Sequence, residues 1–476
     1  MLTHLHVHSA FSFLDGCSYP EELVERAAEL GYNALALTDH DNLSGVIRFV
    51  RACQQAGITP VAGVELTVMD DGGGAERFHL TLLAATREGY GNICRLVTLG
   101  YEHGGRRTPA VPRRLLEEHS AGIIALSGCR RGEVPRRLAQ GRREEARRAA
   151  IWHREVFADG YFLEMQRLLL PGEMRLLRAL EDLGRELDIS LAATGNVHHL
   201  RRGDLPAHDI LTCVRTLTRV DEPHPERPFN AERYLAEPGE MHRRFAQWPQ
   251  ALEDTRRIAE RCCGGVPDLS RPRLPRPALV EGEAREFLRT LVFRGARERY
   301  GRITEKVRRR LEHELSIIAR LGCEPYFLTV WDIVREARSR GIRTSGRGSV
   351  VDSAVGHCLG ISDIDPIAAD LPFERFMSVE RSQMPDIDVD FPRERRDELV
   401  QWVQERYGRE HVAGVCTFQT FRARSALREI GKAMGLPEEE VGLLAKRLRG
   451  ADADEIADAM ERQPQVIHQP SHAKRY

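Results

Sequence analysis

Short apolar segments alternate with amphipathic helices through the first part of this chain, and that alternation constrains its fold more than any other feature. Strand patterns are predicted at residues 34–38, 58–64, 78–84, 123–126 and 189–193. Helical periodicity fills the intervals at residues 18–30, 44–56, 142–157 and 174–187. Strands that alternate with helices favour a parallel sheet or barrel. We therefore expect an α/β fold over residues 1–205, with further domains in the rest of the 476 residues.

Residue types that bind metals recur where these strands end. They are His6, His8, Asp39, His40, Glu65, Cys129, Asn196 and His198, with His79 inside a predicted strand. In a β/α barrel the carboxyl ends of the strands converge, so residues far apart in sequence meet there. Imidazole, carboxylate and thiolate groups together suit zinc or manganese. The pattern predicts a multi-metal site, and the alternative is a set of histidines scattered over the surface.

A second acidic feature lies late in the chain, in the segment Pro385–Phe391, which reads Pro-Asp-Ile-Asp-Val-Asp-Phe. On a strand, alternate side chains share a face, so Asp386, Asp388 and Asp390 are predicted on one side with apolar residues on the other. Divalent metals that carry phosphate oxygens are the usual partners of such a row of carboxylates. The segment predicts two-metal phosphoryl transfer, and the alternative is an exposed acidic strand.

A glycine-rich turn precedes this strand by about forty residues. Residues 342–344 are predicted as a short strand, and Gly346-Arg347-Gly348-Ser349 as a turn that opens a helix through Leu359. Backbone N–H groups of such a turn, together with a helix N-terminus, form a phosphate cradle that Arg347 can clamp. Asp352 lies close to this cradle, so we expect a metal or an arginine to offset its charge.

Composition, cysteine spacing and the positions of the prolines narrow the possible classes of protein and the domain boundaries. The formal net charge is −1, and the ten cysteines include no C-x-x-C pair, which excludes zinc ribbons of that type. The sequence has no secretory leader and no long apolar run, so we expect a cytoplasmic protein without a membrane partner. Prolines at 223–228 and 267–277 break the pattern, and the second cluster indicates an extended connector. The alternative for residues 205–265 is a long ordered excursion packed on the barrel. The predicted divisions are 1–205, a barrel extension and linker at 206–270, then 271–419 and 420–476.

Several motifs of the first half together resemble the PHP (polymerase and histidinol phosphatase) domain of bacterial C-family DNA polymerases. The matching stretches are His6-Val7-His8, Leu14-Asp15-Gly16, Thr38-Asp39-His40, Gly63-Val64-Glu65, Phe78-His79-Leu80, Ser127-Gly128-Cys129 and Asn196-Val197-His198. The resemblance implies a distorted β/α barrel with up to three zinc or manganese ions. Its implied ligands are His6, His8, Asp15, His40, Glu65, His79, Cys129 and His198, with Asn196 where many members have Asp.

An amide at position 196 brings no charge, so one metal should bind more weakly or be lost. The family includes members with 3′–5′ exonuclease or phosphoesterase activity at this site and members that keep it for structure alone. Both outcomes stay open for this sequence.

The second half resembles the palm of the same polymerases, the DNA polymerase III alpha subunit and its error-prone relative. The matching stretches are residues 346–349, 360–366, 373–376 and 385–391, and residues 417–420 look like the start of the thumb. The resemblance implies an α+β nucleotidyltransferase palm with magnesium held by Asp388 and Asp390, beside Asp386. Gly346, Arg347, Gly348 and Ser349 would face the phosphates of an incoming nucleotide. Implied partners are primer-template DNA and deoxynucleoside triphosphates, with a sliding clamp or other replication or repair proteins.

No candidate for the family's third palm carboxylate is found before Tyr476. The leading hypothesis is therefore the amino-terminal portion of a DNA-directed DNA polymerase, comprising PHP domain, palm and partial thumb, and incomplete as a polymerase on its own. The alternative is a metal-dependent phosphoesterase or 3′–5′ exonuclease with a vestigial palm. A third hypothesis is a truncated product without catalysis.

Overall fold

A computed structural model of the chain describes residues 3–70, 76–269, 281–379 and 385–447. The chain forms two compact units. The first runs to Pro267 and includes the residues from Thr420 onward, and the second runs from Asp268 to Gln419. The predicted divisions at 205, 270 and 419 stay predictions, although two of them lie at or near the changes of unit at residues 268 and 419.

The first unit is built on a seven-stranded sheet. Its strands are β1 (Ala34–Leu37), β2 (Thr59–Met69), β3 (Arg77–Ala84), β4 (Val111–Pro112), β5 (Ile123–Leu126), β6 (Tyr161–Gln166) and β7 (Leu191–Thr194). They lie in the order β1-β2-β3-β5-β6-β7, and β4 pairs with β2. The prediction of an α/β fold is confirmed.

Backbone hydrogen bonds close this sheet into a distorted barrel. On one side, the N–H groups of Ala36 and Thr38 donate to the carbonyls of His4 and Val7, at 2.9 and 2.8 Å. On the other side, Val197 N–H donates to His6 and His8 N–H donates to Val197, at 2.9 and 2.8 Å. The segment 4–8 therefore lies between β1 and the residues that follow β7.

Several details of the strand prediction are wrong, including the end of β2, which runs to Met69 where residue 64 was predicted, and the unpredicted β4. The sheet is mixed, because β3 runs antiparallel to both β2 and β5, where a wholly parallel arrangement was expected. Strand β6 was not predicted, since Glu164 and Gln166 interrupt its apolar pattern. Both polar residues are nevertheless buried, because they face the interior of the metal-ligand cluster described below.

The helices of the first unit include the four predicted at 18–30, 44–56, 142–157 and 174–187, which correspond to α1, α2, α6 and α7. The bounds are α1 (Pro20–Glu29), α2 (Val46–Ala56), α3 (Arg87–Gly104), α4 (Arg114–Glu118), α5 (Glu133–Ala139), α6 (Arg143–Phe157), α7 (Glu173–Leu187), α8 (Leu205–Thr216), α9 (Pro238–Arg244), α10 (Pro249–Arg261), and later α16 (Ala423–Ala433) and α17 (Glu438–Arg447).

Helix α2 shows how the sequence sets the buried face and the end of a helix. It buries Phe49, Val50 and Cys53 on one face and stops at Gly57, whose φ of 69° suits a residue without a side chain.

The extension after residue 205 is ordered and packs on the barrel. Ile258 and Cys262, at the end of α10, share an apolar core with Leu5, Ala36 and Phe162. Helix α16 joins the same unit, since Val220 N–H donates to the carbonyl of Ala433 at 2.8 Å.

The second unit combines helices with a two-stranded sheet. Its elements are α11 (Glu281–Tyr300), α12 (Glu305–Arg320), α13 (Glu324–Ser339), β8 (Ser345–Arg347), α14 (Ala354–Cys358), β9 (Asp388–Asp390) and α15 (Arg396–Tyr407). The first three helices and α14 pack around Leu288, Leu311, Phe327 and Val355. Among the described residues of the chain, no helix is both long and apolar enough to cross a membrane.

Candidate metal centre and phosphate-binding turn

All nine predicted ligand positions of the barrel come together at one end of it. Glu65, at 2% exposure, is their hub. Its Oε2 lies 2.8 Å from His40 Nδ1 and 3.0 Å from His79 Nδ1, and its Oε1 lies 3.3 Å from His6 Nε2. His6 Nε2 is in turn 3.1 Å from His8 Nε2. Separate strands and loops thus deliver their imidazoles to one carboxylate.

Asp15 forms a second hub, nearer the cavity that is described below. His40 Nε2 lies 2.9 Å from Asp15 Oδ2 and His198 Nε2 lies 3.3 Å from the same oxygen. His40 therefore bridges the Glu65 and Asp15 hubs through its two ring nitrogens. Cys129 joins at the side, with its Sγ 3.6 Å from His79 Nδ1.

Four groups of side chains place three donor atoms within 4.8 Å of one another. They are His6-His8-Glu65, His40-Glu65-His79, His8-His40-His198 and Asp15-His198-His208. This donor set of imidazoles and carboxylates fits transition-metal ions, which is the chemistry that the sequence predicts. The identity of the metals stays a prediction.

Electrostatics within the cluster divide its histidines into two kinds. Burial alone would lower the pKa of His6, but Glu164 and Glu65 outweigh it and raise that pKa to about 9. Glu65 and Asp15 likewise overcome burial and raise the pKa of His40 to about 10. In contrast, burial lowers the pKa of His198 to about 3 although Asp15 opposes it. Without metal, protons and carboxylates therefore balance one another inside the site.

Asn196 lies in the cluster as predicted, but its amide oxygen is unused. Its Nδ2 donates to Gln166 Oε1 at 3.3 Å, while its Oδ1 is buried without a hydrogen-bond partner among the described residues. A buried carbonyl oxygen without a donor is costly unless something else satisfies it. A metal ion is a suitable partner for this oxygen, so the residue present fits a metal site.

Sequence reasoning missed three residues of this site. Glu164 accepts from His6 Nδ1 at 2.7 Å and thereby fixes the orientation of that ring. Gln166 hydrogen bonds to Glu164 at 2.8 Å. The third residue, His208, contacts Asp15 from α8. Glu164 could have been found as the one charge within the apolar run Tyr161–Met165, whereas nothing in the sequence near His208 signals its role.

Asp39 is the opposite case. Its residue type and position suggest a metal ligand, but its contacts are structural. Its carboxylate accepts hydrogen bonds from Ser9 N–H, Ser9 Oγ and Ser12 Oγ at 2.7–2.8 Å. It therefore holds the loop that carries Asp15 rather than contributing an atom to the four donor groups.

The cluster opens into a cavity of about 260 Å³ whose rim is rich in arginine. The rim includes Arg130, Arg131, Arg215, Arg227 and Arg233. Glu226 pairs with two of these arginines, Arg131 and Arg215. A rim of guanidinium groups above a metal-ligand cluster suits an anionic ligand.

The carboxylate strand of the second unit adopts the predicted alternation. Asp386, Asp388 and Asp390 are exposed, while Ile387 and Val389 are half-buried against the helical core. Strand β9 is shorter than predicted, covering Asp388–Asp390 only.

The glycine-rich turn lies directly beside it. Strand β8 pairs antiparallel with β9, so that Arg347 opposes Asp388 and Ser345 opposes Asp390. Arg347 Nε lies 3.3 Å from Asp390 Oδ1. At Gly348, φ is +70° and an added Cβ would lie 3.3 Å from Asp388 Oδ2, so glycine keeps the turn and the carboxylate in contact. The predicted strand at 342–344 is wrong by three residues, because β8 uses the first half of the turn motif itself.

The helix predicted to open at this turn is also wrong. Residues 348–352 form a single 3₁₀ turn, and α14 begins only at Ala354. The N–H groups of Ala354 and Val355 donate to the buried carboxylate of Glu314, each at 2.9 Å. Glu314 thereby occupies the positive end of α14, which leaves Arg347 and the turn as the candidate phosphate contacts. The charge of Asp352 is offset by an arginine, as expected, since Arg375 Nε lies 3.7 Å from Asp352 Oδ2.

Comparison with known protein families defines the class of this chain. Residues 4–168 match the PHP domain, and residues 286–476 match the bacterial DNA polymerase III alpha NTPase domain. The chain belongs to the bacterial C-family DNA polymerases and corresponds to their PHP and alpha domains.

Individual relatives agree with this assignment. The error-prone DNA polymerase of Symbiobacterium thermophilum is 52% identical over 97% of this chain and 44% of the relative. The DNA polymerase III alpha subunits of Treponema pallidum and Bacillus subtilis are 38% and 36% identical, over 93% and 97% of this chain and 39% and 41% of those proteins. The chain thus spans less than half the length of these relatives. Among solved structures, an amidohydrolase from Chromobacterium violaceum aligns at 18% identity with a TM-score of 0.28, covering 42% of this chain and 88% of that one, too weak a match to support an argument.

Proposed function

We propose that the second unit supplies the phosphate-binding and metal-binding elements of template-directed nucleotidyl transfer. The observation that carries the proposal is the antiparallel pairing of β8 with β9, which sets Arg347 and Gly348 beside Asp388 and Asp390. One element therefore presents a cation and the exposed glycine turn at Gly348 to phosphates, while its neighbour presents carboxylates to metal ions. A nucleotidyl transferase needs both at one place.

In this proposal Asp388 and Asp390 hold Mg²⁺, and Asp386 is a neighbouring carboxylate on the same face. Bound there, Mg²⁺ would supply positive charge for the triphosphate and would lower the pKa of the primer hydroxyl. Arg347 leaves its ion pair with Asp390 and turns to the triphosphate when the carboxylate is engaged elsewhere. Ser349 and the backbone of Gly348 complete the contact with the phosphates. The predicted role of Gly346 does not fit this geometry, because Gly346 is buried and its N–H donates to the carbonyl of Ile361 at 2.9 Å.

The test measures magnesium-dependent binding of a deoxynucleoside triphosphate to this chain. Asp388→Asn and Asp390→Asn are each expected to abolish the dependence on magnesium, because each removes a charged ligand. Asp397→Asn is the matched control, since Asp397 is an exposed carboxylate of the same unit, 90% accessible, that pairs only locally with Arg396. Equal magnesium dependence in all three variants would contradict the proposal.

The barrel supports a second activity, metal-dependent hydrolysis of phosphodiesters at a DNA 3′ end. The specific observation is the donor cluster, which includes seven of the nine predicted ligands, beneath an arginine-rimmed cavity. Zn²⁺ or Mn²⁺ held there would activate water, as such sites do. Glu164 would orient His6, and the rim arginines would bind the phosphodiester.

Release of nucleotides from single-stranded DNA in the presence of Mn²⁺ tests this activity. His8→Ala and Asp15→Asn are each expected to abolish release, whereas Asp388→Asn leaves it unchanged because that residue belongs to the other unit. Circular dichroism establishes that each variant is folded. Release that survives both barrel variants, or that disappears with Asp388→Asn, would contradict the assignment.

The same proposal covers the biological setting. Primer-template DNA and deoxynucleoside triphosphates are the substrates, and a sliding clamp or other replication or repair protein is the partner that the family implies. A protein that acts on the bacterial chromosome works in the cytoplasm. Co-purification with DNA and with clamp protein from a bacterial extract tests this part of the proposal.

A further inference from the structure

Helix α8 carries a histidine into the metal-ligand cluster from outside the barrel strands. His208 is 2% exposed, and its Nε2 lies 3.4 Å from Asp15 Oδ1. His198 Nε2 lies 3.3 Å from the other oxygen of the same carboxylate. The three side chains offer donor atoms that all lie within 4.8 Å of one another.

The helix holds His208 firmly in this position. Two turns further along, on the same face, Arg215 also reaches Asp15 Oδ1, at 3.4 Å. Between them, Asp209 accepts from both Arg227 Nε and Nη2, at 2.8 and 2.6 Å, which ties the helix to the rim of the cavity. The position of His208 is therefore set by α8 and its anchors and does not depend on Asp15 alone.

The hydrogen bonds of His208 do not satisfy its ring. Its Nδ1 is buried without a partner among the described residues, and its Nε2 meets only a carboxylate oxygen at the long end of the hydrogen-bond range. The rings of His198 and His208 also lie close, with centroids 5.1 Å apart. The two imidazoles and the Asp15 carboxylate are therefore close enough to share one cation, and imidazole nitrogen with carboxylate oxygen is a ligand set that transition metals accept.

We propose that His208 is a metal ligand that acts with Asp15 and His198 to bind a divalent transition-metal ion at the outer edge of the cluster. The proposal rests on the proposed metal binding of the barrel and deepens it by adding a ligand from α8. That helix follows residue 168, where the match to the PHP family ends. The metal site of this chain thus includes a side chain from the barrel extension.

Metal content and Co²⁺ spectra of the full chain test the proposal. His208→Gln is expected to lose one metal ion per chain after dialysis, or to bind that ion about tenfold more weakly, as measured by calorimetric titration with Zn²⁺. Asp15→Asn should lose the same ion, because it removes another ligand of the same group. His199→Gln is the matched control. His199 is also buried and lies 5.7 Å from the His208 ring, but its Nδ1 is engaged with the carbonyl of Arg201, at 2.8 Å, and it belongs to none of the four donor groups.

His208→Cys gives a direct sign of ligation. With Co²⁺ bound, a cysteine that coordinates the metal adds a thiolate charge-transfer band to the wild-type spectrum, whereas a side chain with only a structural role adds none. Unchanged metal content, affinity and spectrum in His208→Gln and His208→Cys would overturn the inference while leaving the barrel a metal site. A wild-type chain that binds no metal would instead overturn the proposed function of the barrel, and the inference with it.

Discussion

The barrel cluster and the β8–β9 turn both gather carboxylates, but they neutralise them differently. In the barrel, Glu65 is buried and surrounded by imidazoles that belong to the same fold. At the turn, Asp388 and Asp390 lie in solvent, and Arg347, itself 66% exposed, pairs with the second of them. The first site is assembled by folding itself, whereas the second is an open surface whose carboxylates lack comparable internal partners. Folding stability should therefore depend on the first site and hardly on the second.

The largest expected effect follows from removing the charge of Glu65. Glu65→Gln takes away the shared carboxylate of His6, His40 and His79 in a buried setting, so we expect the metal-free protein to lose about 3–5 kcal/mol of unfolding free energy. Metal binding should be lost as well. Asp390→Asn, the corresponding change at the turn, should alter stability by less than about 0.5 kcal/mol. Urea unfolding measures both, and equal losses would contradict the contrast between the sites.

A pH dependence should follow from the raised pKa values of His6 and His40. Both pKa values rise from 6.5 to about 9 and about 10 on folding, so this contribution to stability is complete below pH 6.5 and is lost as the pH increases through those values. The loss for one such group is on the order of 3 kcal/mol.

Urea unfolding in the presence of a chelator, between about pH 6 and pH 10, measures this effect. Zinc-loaded protein is the control, because bound metal replaces the protons and should flatten the profile. A metal-free protein that is as stable at the upper end of this range as at neutral pH would contradict the assignment of charged histidines.

Asn196→Asp should strengthen the barrel site at a cost to the empty protein. A carboxylate in place of the unpartnered amide oxygen adds charge, so we expect one metal ion to bind about tenfold more tightly. The same change removes the donor to Gln166, which should destabilise the metal-free protein by about 1–3 kcal/mol. Calorimetric metal titration and chelated unfolding measure the two effects. Asn230→Asp, at the rim of the cavity, is the control and should not change metal affinity.

The smallest effect on stability is expected at the turn. Arg347→Ala removes an exposed ion pair and should change the unfolding free energy by no more than about 0.5 kcal/mol. Its effect should appear in ligand binding, with magnesium-dependent affinity for a deoxynucleoside triphosphate about tenfold weaker. Arg343→Ala on the same approach to β8 is the control. Equal affinity in wild type and Arg347→Ala would remove Arg347 from the proposed phosphate contact.

The sequence predicts the barrel cluster well because most of its ligands follow apolar runs. His40 and Cys129 lie beyond the ends of β1 and β5, and topology brings such positions together whatever the details of pairing. Glu65 lies inside β2, which continues to Met69. Glu164 and His208 were missed because their positions depend on tertiary packing. Glu164 lies in β6, a strand whose apolar pattern it interrupts, and His208 lies on α8, a helix of the extension.

The turn shows the opposite limit. Alternation along residues 386–390 was predicted correctly, since it is a local property of extended backbone. The helix expected after Gly348 was wrong because Glu314, far away in sequence, caps α14 and sets where it starts. Local patterns predict which face of a strand a side chain takes. They do not reveal which distant residue accepts hydrogen bonds from the first N–H groups of a helix.

The closure of the barrel also has a consequence for synthesis. Residues 4–8 need a neighbour on each side, and one of those neighbours is Val197. Because a ribosome releases the amino terminus first, residues 4–8 cannot pair with Val197 until the chain beyond Val197 has emerged. A shorter nascent chain contains His6 and His8 but lacks the closed barrel that positions them. Binding of the proposed metals therefore belongs to a late stage of translation.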